Sequence, residues 1–177
     1  MNRTLMTAAE REAFLTEART AILSVAEEDG GTVASPVWFH YEPGGDIVLF
    51  LEPASRKLAA MVRAGRATLT VQDEGDIPGT GRPPRFVSVT GPAELCTPSD
   101  GDAAIAQAFY DKYLSSEMQR RYAEVGGDTY MTGKVDPQGD TGGMVRIRPE
   151  RWFTRDYGKA GDRWDEVVGV PGASTLR

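Results

Sequence analysis

The sequence predicts a mainly β protein with helices: a six-stranded antiparallel barrel with an N-terminal helix, a short crossing helix and a helical insertion. Two observations lead there. Six short runs are either apolar throughout or alternate apolar with polar residues, as strands do. Most of them follow one another through tight turns rich in Gly, Pro and Asp, not through the long crossovers that a parallel sheet needs. Short strands spaced this closely favour a small closed barrel.

Taken in order, Thr7-Ala8-Ala9-Glu10 is a capping box, and Phe14, Leu15, Ala18 and Ile22 continue a helix-spaced stripe behind it. This helix is expected to end near Arg19-Thr20. Ala21 to Ala26 is the first strand, and Glu27-Glu28-Asp29-Gly30-Gly31 turns it into a second strand from Val33 to Tyr41. Pro36 cannot donate a ladder hydrogen bond, so the second strand belongs at an edge, a bulge or a ligand-facing gap. Glu42-Pro43-Gly44-Gly45 leads into Asp46 to Leu51, an apolar run that reads as a buried strand ending at Pro53. Ser55 caps a short helix whose apolar stripe is Leu58, Met61 and Val62, and Gly65 stops it.

Ala67, Leu69 and Val71 alternate with Thr68, Thr70 and Gln72 in a fourth strand, and Arg85 to Gly91 is a fifth that runs toward Glu94. Between them Gly75 to Pro84 is a Pro/Gly-rich loop. Ala103 to Tyr113 and Ser115 to Glu124 read as helices, with Ile105, Ala108, Phe109 and Leu114 inward. Gly126 to Gly143 is a long glycine-rich loop of the kind that often serves function, here as part of a site wall. Met144 to Arg148 is the sixth strand, Trp152-Phe153 follow it, and the tail from Gly158 is expected to be extended or frayed, anchored at most by Trp164.

Composition narrows the class of protein. With 177 residues, 40% hydrophobic and 26% charged, the chain has enough apolar material for one ordinary globular domain. A net charge of -6 argues against nucleic acid and against an anionic membrane surface as partners. No segment is apolar enough to span a bilayer and no signal-like core opens the chain, so a cytoplasmic location is expected. Cys96 is the single cysteine and His40 the single histidine, which excludes an internal disulfide and an ordinary zinc site. Cys96 reads as a small buried hydrophobe, and His40 as a polar surface or interface residue. Gly79-Thr80-Gly81 is too short for a dinucleotide fingerprint, and no P-loop, nucleophile elbow or paired carboxylate is readable.

One stretch runs against helix electrostatics. Arg56 and Lys57 stand in the first turn of the short helix, where the dipole is positive and carboxylates are favoured. A serine hydroxyl, first-turn N–H groups and two cations converging there would make a phosphate site. The alternative is that both side chains splay into water.

Ser55-Arg56-Lys57 after the third strand resembles the pyridoxamine 5′-phosphate oxidase-like, flavin-binding split-barrel superfamily. So do Arg85-x-Val87-x-Val89-x-Gly91-x-Ala93-Glu94 and Gly65-Arg66-Ala67-Thr68-Leu69. The resemblance runs from about Ala21 to Glu94, with a weaker match around Val145 to Trp152. It implies a single flavin-binding split-barrel domain over 1–157 with a tail over 158–177. It implies FMN or the deazaflavin coenzyme F-420 as cofactor, its phosphate on Ser55, Arg56 and Lys57 and its ring against Ser35, Pro36, Val37 and Trp38. Trp38 and Phe39 read equally well as core or interface residues.

Departures from the oxidase itself point to the broader branches. Ser35 and His40 stand where the oxidase has an arginine and a lysine, Phe50-Leu51 where it has Tyr-Thr, and Phe86 where it has glutamine. The resemblance thus implies an oxidoreductase passing hydride between FMN or F-420 and a small conjugated substrate. It also implies a homodimer, with exposed aromatics such as Trp152 and Phe153 serving the contact. A non-catalytic binder of flavin, deazaflavin or heme is the other reading. No residue is singled out as catalytic.

Overall fold

The computed structural model describes residues 4–52, 55–73, 83–96, 102–124 and 143–160. Its elements are α1 (Ala8–Thr16), β1 (Ala21–Ala26), β2 (Thr32–Val37), β3 (His40–Tyr41), β4 (Ile47–Leu51), α2 (Arg56–Ala64) and β5 (Arg66–Gln72). They continue with β6 (Arg85–Cys96), α3 (Asp102–Tyr113), α4 (Ser116–Glu124), β7 (Gly143–Ile147), β8 (Arg151–Asp156) and a 3₁₀ turn (Tyr157–Ala160).

The strands form one curled antiparallel sheet in the order β2-β1-β5-β6-β7-β4-β3, with β8 paired to β6 outside that path. Among the described residues eight strands replace the expected six, for two reasons. The second strand breaks after Val37 and resumes at His40, and Trp152-Phe153 lie in a strand of their own. Closure is also corrected. The path has two ends, β2 and β3, which are successive in the chain but not paired to each other. Pro36 therefore sits on an end strand, where its missing N–H leaves no gap in a ladder.

Local chemistry accounts for most boundaries. Thr7 caps α1 with the reciprocal bonds of a capping box, but α1 stops at Thr16, short of Arg19. Gly65 ends α2 at φ 62° and donates to the Met61 carbonyl (2.9 Å), as a left-handed cap requires. β6 carries the curl: Arg66–Gln72 pair with its residues from Phe86 to Pro92, and β7 takes over from Ala93 to Cys96. Where it bends, a Cβ on Gly91 would lie 1.8 Å from the Arg148 carbonyl oxygen, so the β7–β8 turn can pass only over glycine.

The core fills the concave side. Leu23, Val25, Leu49, Leu69, Val71, Val89 and Ile147 are buried there with Phe14 and Leu15 of α1 and Leu58 and Met61 of α2. A second, smaller cluster lies on the other face of β4: Val48, Phe50 and Met144 pack against Phe109 of α3. That cluster is why all of β4 is buried, as its apolar run predicted. Within α3, Phe109 points inward but Ala108 is exposed. Trp152 is half-buried, edge-on to Tyr41 and beneath the Arg11 guanidinium, so of the two expected contact aromatics only Phe153 is exposed. Tyr157–Ala160, where the tail was expected to begin, forms a 3₁₀ turn held to α1 and the segment before it by Lys159, which donates to Glu10 (2.5 Å) and to the Leu5 carbonyl (2.9 Å). The 126–142 loop, Pro53, Gly79-Thr80-Gly81 and Trp164 lie outside the described residues.

Candidate functional site

The C-terminal ends of β2 and β4, the first turn of α2 and the body of α3 enclose a cleft of about 500 Å³. From the strands come Pro36, Val37 and Trp38 and, at the end of β4, Phe50, Leu51 and Glu52. Lys57 enters from α2, Phe109 and Tyr110 from α3, and Leu114 from just beyond its end. The lining is thus apolar and aromatic, with a cation and a carboxylate at the junction of β4 and α2.

Four of the seven predicted residues line this cleft: Pro36, Val37, Trp38 and Lys57. Ser35 and Ser55 do not. The Ser35 hydroxyl lies 3.4 Å from the Pro36 carbonyl. Ser55 caps α2, accepting from the Leu58 N–H at 3.4 Å. Arg56 does not line the cleft either, and the two cations do not converge. Successive helix residues point about 100° apart. Arg56 turns back to the β1–β2 hairpin and grips the Glu27 carboxylate with two bonds, 2.9 and 2.5 Å, while its side chain stays 76% exposed. Lys57 is only 20% exposed and donates to Glu52 at 3.1 Å. Both first-turn cations are therefore paired with carboxylates, which offsets the dipole conflict noted from sequence.

The remaining polar groups lie behind Trp38. Its indole stacks on the Tyr113 ring, centroids 4.9 Å apart and planes within 4°. The Tyr113 hydroxyl lies within donating distance of the carbonyls of Arg19 (2.9 Å) and Phe39 (3.0 Å), which share its one proton, and it accepts from the Phe39 N–H (3.3 Å). Burial pushes this phenol up to about 12. Beside it the Lys112 ammonium donates to the carbonyls of Leu15 (3.0 Å) and Phe39 (3.3 Å) and lies over the Phe39 ring. Burial, helped by the nearby Arg19 charge, pushes it down to about 8. His40 is half-buried on β3 and does not line the cleft; burial holds its pKa below the usual value. Cys96 is half-buried and its thiol is raised by burial, which disfavours the nucleophilic thiolate.

Sequence reasoning missed the helix side of the cleft and Glu52. Phe109 and Leu114 were legible as inward positions, but only the tertiary packing of α3 on β4 brings them to Trp38 and Lys57. A second groove of about 600 Å³, lined by Arg19, Ile22, Thr70 and Asp73 among others, adjoins the cleft at Thr20 and contains none of the seven predicted residues. Among the described residues no group of His, Cys, Asp and Glu could hold a metal ion, and no helix is long and apolar enough to cross a membrane.

Comparison with known proteins places this geometry. The family described as pyridoxamine 5′-phosphate oxidase matches residues 7–156. No curated protein matches the chain. Among solved structures, a conserved hypothetical protein from Mycobacterium tuberculosis is similar at 22% identity and TM-score 0.68, covering 91% of each chain. An FAD-binding protein from Mesorhizobium loti is similar at 20% identity and TM-score 0.54, over 85% of this chain and 93% of that one. A protein described as an F420 reductase is similar at 16% identity and TM-score 0.53, over 80% of this chain and 94% of that one. At these identities the likeness is one of fold.

Proposed function

The chain belongs to the pyridoxamine 5′-phosphate oxidase family, and on that premise we propose that its cleft binds a flavin-type cofactor, FMN or coenzyme F-420, in an oxidoreductase. The observation that carries this reading is the pairing of an aromatic, apolar cleft with Lys57 at one end. The donor set fits such a group. A flat, apolar ring system matches Pro36, Val37 and Trp38 on one side and Phe109 and Tyr110 on another, and a phosphate matches the Lys57 ammonium. Lys57 would exchange the Glu52 carboxylate for the phosphate, and because Glu52 is exposed, water can solvate it once it is released.

When bound, such a cofactor supplies the hydride chemistry. The protein's own residues then bind and orient. Lys57 anchors the anion, and the buried Val37 with Phe50 and Phe109 keeps water from the ring's apolar parts. Trp38 presents an aromatic face. A small conjugated substrate would share the cleft with the ring. Ser35 and His40, neutral or weakly basic where the oxidase of the family carries cations, do not line the cleft, so no useful oxidation of pyridoxamine 5′-phosphate is expected. The exposed Ile22 and Phe153 are candidates for the contact in a homodimer, whose existence light scattering would test.

The deciding experiment is a fluorescence titration of the purified protein with FMN and with coenzyme F-420, followed by reduction of the complex. Saturable binding of either, with bleaching by a reductant and reoxidation by a conjugated acceptor, supports the enzyme. Binding without turnover of any acceptor points to a non-catalytic carrier. A Soret band with no flavin binding would sink the proposal in favour of a heme binder.

A further inference from the structure

We propose that Tyr113 is a positioning residue of the cleft: it holds the Trp38 indole as a fixed wall, so that the helical insertion sets the plane against which a flat aromatic ligand lies. This rests on the reading of the cleft as a site for a planar group.

The sheet does not hold the link between β2 and β3. β2 pairs with β1 as far as Val37, opposite Ala21, and β3 pairs with β4 only from His40, opposite Val48. Trp38 and Phe39 fall in the gap, with no ladder register of their own among the described residues. An indole that is 44% exposed on an unpaired link would ordinarily sample several rotamers.

Here the link is held from α3 instead. The Phe39 peptide receives the Tyr113 hydroxyl and the Lys112 ammonium at its carbonyl, and its N–H donates to the Tyr113 oxygen. The same hydroxyl reaches the Arg19 carbonyl, next to Thr20 at the cleft edge. With its oxygen fixed to main chain at two separate segments, the Tyr113 ring has one orientation, and the indole lies parallel to it. Trp38 in turn lines the cleft. A ligand ring stacking on a wall already fixed in plane does not have to order that wall on binding. One buried hydroxyl, far from the strand in sequence, thereby governs the shape of the strand side of the cleft.

The test uses the full chain labelled with 5-fluorotryptophan, its Trp38 resonance assigned by Trp38→Phe, together with the affinities for riboflavin, FMN and coenzyme F-420. Tyr113→Leu is expected to move the Trp38 resonance toward the solvent position and to weaken whichever of these ligands bind by about tenfold. Riboflavin and FMN should weaken equally, because the phosphate contact is untouched. Tyr113→Phe keeps the ring but drops the main-chain bonds. It is expected to broaden the Trp38 resonance and to weaken binding about threefold. A Trp38 resonance identical to wild type in either variant overturns the proposal, as does a moved resonance with unchanged ligand affinity. If the unaltered protein binds none of the three ligands, the flavin reading fails by itself, and the Trp38 resonance still decides whether Tyr113 fixes the indole.

Discussion

The two sides of the cleft are built by different physics. On the strand side, Pro36 and Val37 stand where the β1–β2 register puts them, and Phe50 and Leu51 where β4 pairs with β7. On the helix side nothing is set by a ladder. Phe109 is buried against Phe50 (4.9 Å between ring centroids), Asp102 at the start of α3 is held by Arg146 (2.5 Å), and Lys112 and Tyr113 pin its end. A ladder spreads position over many equivalent bonds, whereas α3 is located by a few dissimilar contacts. The helix side should therefore be the more easily disturbed by single changes.

Phe109→Ala should have the largest effect. Truncating a buried phenylalanine costs about 3–5 kcal/mol, and denaturant unfolding should show that loss. Trp38→Ala, on the partly exposed strand side, should cost far less. Equal losses would mean that α3 is not held chiefly by its apolar cluster.

Next in size is Lys57→Glu. FMN affinity should fall about tenfold to a hundredfold, since a charge-assisted contact of about 1.5–3 kcal/mol is lost and a repulsion is added. The ligand-free protein should change by less than about 1 kcal/mol, because the dipole gain of a first-turn carboxylate opposes the lost pairing with Glu52. Titration and melting curves on the same sample read both effects. A large fall in ligand-free stability would make Lys57 structural.

A smaller effect separates the two neighbouring residues at the end of α3 by pH. Folded Lys112 releases its proton near 8, unfolded Lys112 near 10.5, so between these values the unfolded chain holds more protons and stability rises with pH. Solvent access to the ammonium limits the rise to on the order of 1 kcal/mol. Tyr113 has the opposite sign. Its folded phenol holds its proton up to about 12 and the unfolded one to about 10, so the stability it contributes below pH 10 is lost as pH climbs through 12. Denaturant midpoints from pH 7 to 11 should pass through a maximum near 10, and Lys112→Met should flatten only the rising limb.

The smallest change sharpens the contrast between Arg56 and Lys57. Glu27→Gln removes an ion pair whose Arg56 side is exposed and should alter stability by about 1 kcal/mol or less. It also releases the Arg56 guanidinium. If Arg56 can swing to the phosphate, FMN should bind up to about fivefold tighter in this variant, a gain of roughly 1 kcal/mol. Unchanged affinity would leave Lys57 as the cation that acts.

Features that depend on near neighbours in the chain were legible before any fold was known. The alternation of Ala67, Leu69 and Val71, the Thr7 box, the Ser55 cap and the Gly65 stop all act within a turn or a strand, and each is found as read. The apolar run of β4 foretold burial on both faces, although not that α3 would cover one of them. The Ser55-Arg56-Lys57 stretch was legible as a cluster of charge. Its division was not, because Arg56 chooses Glu27 and Lys57 chooses Glu52 only once the hairpin and the end of β4 are in place. The break at Trp38-Phe39 and the pairing of β8 with β6 likewise have no local signal. The first is stabilised by Tyr113 and Lys112, 74 and 73 residues from Phe39, and the second is a long-range register. Propensity and capping are short-range terms that a sequence displays directly. Which wall faces a cleft is set by contacts between distant segments, and those exist only after the chain has folded.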